Sequence, residues 1–147
     1  MGAVSGSSSV GGIVGYAANI AERERHTKFI CNSYNKGKIT ATTEGAGGII
    51  GWSDCGSDIK NCVNTTAEIK GAKWSGSLLA NVYGSAYAYD YASGCYYNGS
   101  LNAIGVNNAE VTSSTSFTGE INMNSMFYVL KYELSQVNWN GNSVDVW

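Results

Sequence analysis

Short apolar runs broken by glycine recur along the chain in a regular pattern. Val10-Gly11-Gly12-Ile13-Val14-Gly15-Tyr16 is followed by Ala46-Gly47-Gly48-Ile49-Ile50-Gly51-Trp52 and, in altered form, by Ser75-Gly76-Ser77-Leu78-Leu79-Ala80. A second element alternates with it: Ile30-Cys31-Asn32-Ser33-Tyr34-Asn35, Ile59-Lys60-Asn61-Cys62-Val63-Asn64 and Ala92-Ser93-Gly94-Cys95-Tyr96-Tyr97. Ser33 to Gly47 and Cys62 to Gly76 are both steps of 14 residues. The other half of the unit varies, with steps of 22, 15 and 19 from Gly11, Gly47 and Gly76 to Ser33, Cys62 and Cys95. The shortest complete unit is therefore 29 residues. Stacked units with loops of variable length at one corner produce this spacing.

The segments are rich in Val, Ile, Thr and Tyr and punctuated by Gly and Asn, which predicts strands. A helix would lose about 1 kcal/mol for each interior glycine. Three short strands fit one unit, for example around Gly48 to Trp52, Ile59 to Asn64 and Glu68 to Gly71. One unit cannot bury its own apolar face, but parallel stacking of equivalent strands gives a continuous core and pairs the backbone. The fold class this predicts is all-β, a short parallel β-solenoid, right-handed by the crossover rule. An antiparallel sandwich with similar glycine-rich strands is the alternative. In the solenoid, Ile13, Ile49 and Leu78 share an interior column. Gly11, Gly47 and Gly76 share another, where backbone approaches backbone or turns sharply. Asn32 and Asn61 form a third, either as a hydrogen-bonded ladder or as ordinary turn asparagines.

These residues resemble a known pattern. Gly12-Ile13-Val14-Gly15 and Gly48-Ile49-Ile50-Gly51 are similar to the GLUG motif of bacterial surface proteins, and Asn32-Ser33-Tyr34-Asn35-Lys36-Gly37-Lys38-Ile39 is similar to the segment that accompanies it. The resemblance covers residues 4 to 105. It implies a large secreted or wall-attached bacterial protein of repeated β-coils, sometimes found beside peptidase or adhesion modules, with no established catalytic residues of its own. Ser77-Leu78-Leu79-Ala80 departs from the motif, so the stack is expected to end with that coil.

After Thr112 the repeat is expected to stop, dividing the chain into solenoid repeats over 1–112, about three coils, and a C-terminal cap over 113–147. Met123, Phe127, Leu130 and Leu134 recur at helical spacing. Val137-Asn138-Trp139 and Val144 to Trp147 flank Asn140-Gly141-Asn142-Ser143 as a hairpin. A helix plus hairpin would cover the parallel edge that the last coil leaves open. The tail lacks the Gly-Tyr-Pro usual in GLUG-like proteins.

Composition narrows the function. The chain has 147 residues, net charge −2, 19 glycines and no proline, which fits one compact domain rather than a disordered tract. It offers no basic field for nucleic acid and no apolar run that predicts membrane insertion. Gly2 to Ser9 is small and polar, unlike a secretory signal. Ala3-Val4 falls in the place of Ile39-Thr40 and Ile69-Lys70. Met1 is thus expected to be an artificial start, with further repeats of the parent chain upstream.

Cys31, Cys55, Cys62 and Cys95 show no zinc-like spacing, and His26 is the lone histidine, so no metal or other cofactor is expected. Cys62 and Cys95, equivalent in successive repeats, would stack as small buried residues or join in a disulfide. The charged insertion Glu22 to Lys28 reads as a solvated loop. Asn64-Thr65-Thr66 and Asn98-Gly99-Ser100 match the glycosylation sequon by accident. No nucleophile or carboxylate pair accompanies His26, and no catalytic residue is expected.

The candidate contact surface is aromatic. In Ala86-Tyr87-Ala88-Tyr89-Asp90-Tyr91 the alternation puts Tyr87, Tyr89 and Tyr91 on one face of a strand, where rings can stack on sugars or dock a protein. Trp74, like Trp52, flanks a coil corner and joins that set. The rings could instead cover the open end of the stack. The expected function is a non-enzymatic bacterial cell-surface or secreted module acting in adhesion, with a glycan or host surface protein as partner. The alternatives are a structural stalk and a carbohydrate-active β-helix enzyme, which would need aligned carboxylates among Asp54, Asp58, Asp90 and Asp145.

Overall fold

The computed structural model describes residues 2–18, 28–54, 57–83, 91–106, 110–112, 115–117, 138–139 and 142–143. Every regular element among them is a β-strand. The first tier holds β1 (Val4–Gly6), β2 (Val10–Gly11), β3 (Val14–Ala17), β4 (Lys28–Cys31) and β5 (Tyr34–Asn35). The second holds β6 (Ile39–Ala41), β7 (Gly45–Gly47), β8 (Ile50–Asp54), β9 (Ser57–Lys60) and β10 (Val63–Asn64). The third holds β11 (Ile69–Gly71), β12 (Trp74–Gly76), β13 (Leu79–Tyr83), β14 (Tyr91–Ser93) and β15 (Tyr96–Asn98). Above these lie β16 (Ile104–Val106), β17 (Glu110–Thr112) and β18 (Thr115–Phe117).

Strands pair between tiers. The sheets run β1-β6-β11, β2-β7-β12, β3-β8-β13-β16, β4-β9-β14-β17 and β5-β10-β15-β18, and every neighbouring pair within them is parallel. Each sheet thus takes one strand from each successive unit, as the repeat arithmetic requires. An antiparallel sandwich is ruled out for this region.

The finer expectations needed correction. A unit contains five short strands rather than three, because the chain bends at more corners than glycine alone marks. Val4, not Ala3, lies opposite Ile39, which in turn lies opposite Ile69. Nor does the stack end with the altered third motif, since β16 pairs with β13 and β18 with β15. Parallel pairing therefore runs on past Thr112 to Phe117. The helix expected over Met123 to Leu134 lies outside the described residues, and no helix occurs among those described. Near the C-terminus, β19 (Asn138–Trp139) and β20 (Asn142–Ser143) do pair antiparallel. Asn142 and Ser143, expected in the turn, join the ladder instead.

The core is a set of vertical columns. Ile13, Ile49 and Leu78 stack as expected, continued by Ala103, through backbone bonds from Ile13 N to Ile49 O (3.1 Å), Ile49 N to Leu78 O (2.9 Å) and Leu78 N to Ala103 O (2.9 Å). Ile49 and Leu78 are fully buried, each contributing about 1.5–3 kcal/mol by leaving water. Val82, Ile50 and Leu79 pack with them, and Val10, Ile39, Ala46 and Ile69 form a second cluster.

Polar columns stitch the tiers together. Gly11, Gly47 and Gly76 align; a Cβ on Gly47 would lie 1.8 Å from Ile50 O, so the chain can fold back there only over glycine. Asn32 and Asn61 also align, but as turn residues in the left-handed region, at φ 52° and 50°, with Gly94 (φ 60°) as their third-tier counterpart. The hydrogen-bonded ladder belongs to a different pair: Asn35 Nδ2 donates to Asn64 Oδ1 at 2.9 Å in the interior. Asn64 and Asn98 are buried, so neither sequon is open to glycosylation in the folded protein.

Candidate functional site

Three aromatic side chains from three tiers meet along the outer wall. Tyr16 on β3 and Trp52 on β8 are in register, since both follow the last glycine of their motif copy. Their ring centroids lie 6.5 Å apart and the planes cross at 82°. Trp74 on β12 continues the row, 5.7 Å from Trp52 and again at 82°. Edge-to-face contacts at this range each stabilise by about 0.5–1.5 kcal/mol beyond the area they bury.

Trp74 is placed by the register of β12 on β7. Its register partner is Gly45, and a Cβ there would lie 3.5 Å from Trp74 Cε3. The indole lies within ordinary contact distance of that position and packs edge-to-face with Trp52. Lys73 Nζ stands 5.5 Å from the Trp74 ring centroid and 3.7 Å from Glu44 Oε1. Tyr16 is 53% exposed, while Trp52 and Trp74 are half-buried. The row therefore presents ring edges and faces with a charged pair at one end. Such a surface can stack, accept a CH group onto a ring, and donate through a phenol or indole.

The expected tyrosine face is only partly within the described residues. Tyr87 and Tyr89 lie outside them. Tyr91 is on β14, between Asp58 and Glu110, in a different sheet from Trp74. Trp74, also a predicted contact residue, is brought together with Trp52. Tyr16 was missed as a partner; the signal was its position directly after Gly15, matching Trp52 after Gly51.

Of the four aspartates, Asp90 and Asp145 lie outside the described residues. Asp54 lies opposite Tyr83, and Asp58 opposite Phe29 and Tyr91. Asp58 is buried with Lys60 Nζ 3.6 Å away. Among the described residues, no three His, Cys, Asp or Glu side chains come together as a metal site.

Cys31, Cys62 and Cys95 are not in disulfides. Cys62 and Cys95 are stacked and fully buried, in the column that begins with Ser33. Cys62 Sγ faces Lys60 O at 3.3 Å and Ile30 O at 3.4 Å. A hydrogen bond with Cys95, reinforced by burial, pushes the Cys62 thiol far above its ordinary range. It is a structural thiol, not a nucleophile.

No known protein family, curated protein or solved structure matches the chain.

Proposed function

We propose that the chain is a short right-handed parallel β-solenoid serving as a non-catalytic adhesion module of a bacterial surface or secreted protein, with the Tyr16–Trp52–Trp74 row as its contact surface for a glycan. The observation that carries this reading is the continuity of three rings across three tiers. A row of that kind matches an extended ligand with repeating apolar faces, as a polysaccharide has. The likeness of the glycine motif to GLUG repeats supports the surface location, and a helix-plus-hairpin cap that begins after Phe117, later than the expected 113, belongs to the same reading. A carbohydrate-active enzyme is disfavoured because Asp58 is separated from Glu110, the other carboxylate of its column, by Tyr91, and is buried beside Lys60.

A stalk without ligand is the second reading. It is favoured by the half-burial of Trp52 and Trp74, whose edge-to-face packing also braces the wall. A glycan array probed with wild-type protein and with Tyr16→Ala and Lys73→Gln variants separates the two. Adhesion requires a glycan hit that weakens at least about tenfold (a loss of about 1.4 kcal/mol) in Tyr16→Ala while the melting temperature holds. Absence of any hit would leave the stalk.

A further inference from the structure

The column that begins with Ser33 brings two buried cysteines one tier apart. Cys62 and Cys95 each follow a left-handed turn residue, Asn61 and Gly94. Each also precedes a strand, β10 or β15, whose first residues Val63 and Tyr96 are register partners. Tyr96 N donates to Cys62 O at 2.9 Å, which holds the two backbones at the tier spacing of about 4.8 Å. The side chains share one orientation. Cys62 Sγ lies 3.3 Å from Lys60 O and 3.4 Å from Ile30 O of the tier below. Cys95 Sγ lies 3.4 Å from Ser93 O and 3.5 Å from Ile59 O, again one tier below. Cys95 thus leans towards the tier of Cys62, and the two thiols hydrogen-bond to each other. Disulfides join residues whose Cα atoms stand about 4.4–6.8 Å apart, a range that includes the tier spacing.

Burial decides when such a bond can close. The structure holds both cysteines as free thiols with 0% exposure, and thiol–disulfide exchange needs an accessible thiolate. The contact with Cys95 and burial keep Cys62 protonated. A small disulfide therefore reaches the pair while the chain is unfolded, and not after the tiers have closed. Once made, the bond is shielded from reducing thiols in the same way. Cys31 is exposed and stands opposite Lys60 of the next tier, so it stacks on no cysteine.

We propose that Cys62 and Cys95 close a disulfide between the second and third tiers when the chain folds in the presence of a small-molecule disulfide, and that the redox state set during folding is then retained. One cysteine thiolate attacks oxidised glutathione, forming a mixed disulfide and releasing one glutathione thiolate. The other attacks the chain's own sulfur in that mixed disulfide, forming the Cys62–Cys95 bond and releasing the second glutathione. The pair loses two electrons and two protons, and the two electrons reduce the glutathione disulfide. The bond spans 33 residues of chain, from 62 to 95, and removes freedom from the unfolded state.

Refolding the denatured full chain with oxidised and reduced glutathione together, or with reduced glutathione alone, tests it. After alkylation, mass spectrometry of the oxidised product should find the Cys62 and Cys95 peptides linked with the loss of two hydrogens. That product should melt at least about 5 °C above the reduced one. Folded reduced protein placed in the oxidising buffer should keep Cys62 and Cys95 unlinked. Cys95→Ser, which copies Ser33 of the first tier, should erase the difference between the two foldings. No Cys62–Cys95 link after oxidative refolding, a linked product that melts no higher, a difference that survives in Cys95→Ser, or a link that forms in the folded protein would each overturn the proposal. The pair lies away from the strands that carry Tyr16, Trp52 and Trp74, so the outcome is independent of the adhesion test.

Discussion

A Cβ on Gly48 would stand 2.6 Å from Cγ of Asn64. The two residues come from opposite sides of the same tier, and the asparagine amide fills the space that the glycine leaves empty. Gly12 and Asn35 repeat the relationship, also at 2.6 Å. The second glycine of the motif and the asparagine of the alternate element are therefore two halves of one packing device. In the third tier Ser77 replaces the glycine and donates from Oγ to Asn98 O at 2.6 Å.

Gly48→Val should destabilise the protein by on the order of 2 kcal/mol or more, through overpacking and backbone displacement. The new Cβ meets Ser77 O at 2.0 Å as well as the Asn64 amide, and a main-chain atom of the next tier has nowhere to go. Denaturant unfolding measures it. A loss below about 0.5 kcal/mol would show that the tiers separate easily at this corner.

Asn64→Ala should cost about 1–3 kcal/mol, because it strands a buried donor and a buried acceptor. Asn35 Nδ2 loses the Asn64 oxygen, and Thr66 O loses the Asn64 amide at 3.2 Å. A double-mutant cycle with Asn35→Ala should return a coupling above about 0.5 kcal/mol. Additive losses would mean that the ladder is not cooperative.

Asn61→Gly should be tolerated and Asn61→Ala should not. The left-handed φ of 50° costs a residue with a plain Cβ about 1 kcal/mol or more, while the equivalent third-tier residue is already Gly94. Thermal melts of the two variants should rank in that order; a reversal would point to the Asn61 side chain as the stabilising group.

Alkaline pH should weaken the fold through Cys62. Its thiol is raised in the folded state by the bond to Cys95 and by burial, while in the unfolded chain it ionises near its ordinary value of about 8.5. The folded state thus keeps a proton that the unfolded state gives up. This contribution is complete below pH about 8.5 and declines above it, by up to about 1.4 kcal/mol per pH unit. Cys62→Ser, which copies Ser33 in the first tier, should flatten that decline between pH 8.5 and 9.5 in chemical unfolding curves. An unchanged decline would assign it to other groups.

Much of this architecture was readable because in-register stacking forces equivalent residues into equivalent places. The alignment of Gly11, Gly47 and Gly76, the Ile13–Ile49–Leu78 column and the burial of Cys62 and Cys95 follow from the repeat alone. The Asn35–Asn64 ladder was harder to see. Asn32 and Asn61 have the same periodicity, and only the backbone conformation at each position decides which pair makes the turn and which forms the ladder. The first-tier offset of one residue, Val4 for Ala3, arose because a short β1 carries too little pattern to fix its register. The aromatic row was half legible: position within the motif aligns Tyr16 with Trp52, but Trp74 comes from another sheet, whose register with theirs the motif does not mark.

The variable half of the unit has a consequence for how such a chain can diversify. The links from β3 to β4, β8 to β9 and β13 to β14 all leave and re-enter the stack at one corner, because the strands on both sides are held in parallel register. Insertions there alter neither the core columns nor the fixed step of 14 residues from Ser33 to Gly47. Neighbouring links are anchored on adjacent strands, about 4.8 Å apart, so new sequence in each would be presented side by side. The scaffold can thus act as a printing block, in which the type is exchanged and the frame retained. Replacing residues 55–56 with peptides of different length would show how far that exchange can go before the melting temperature falls.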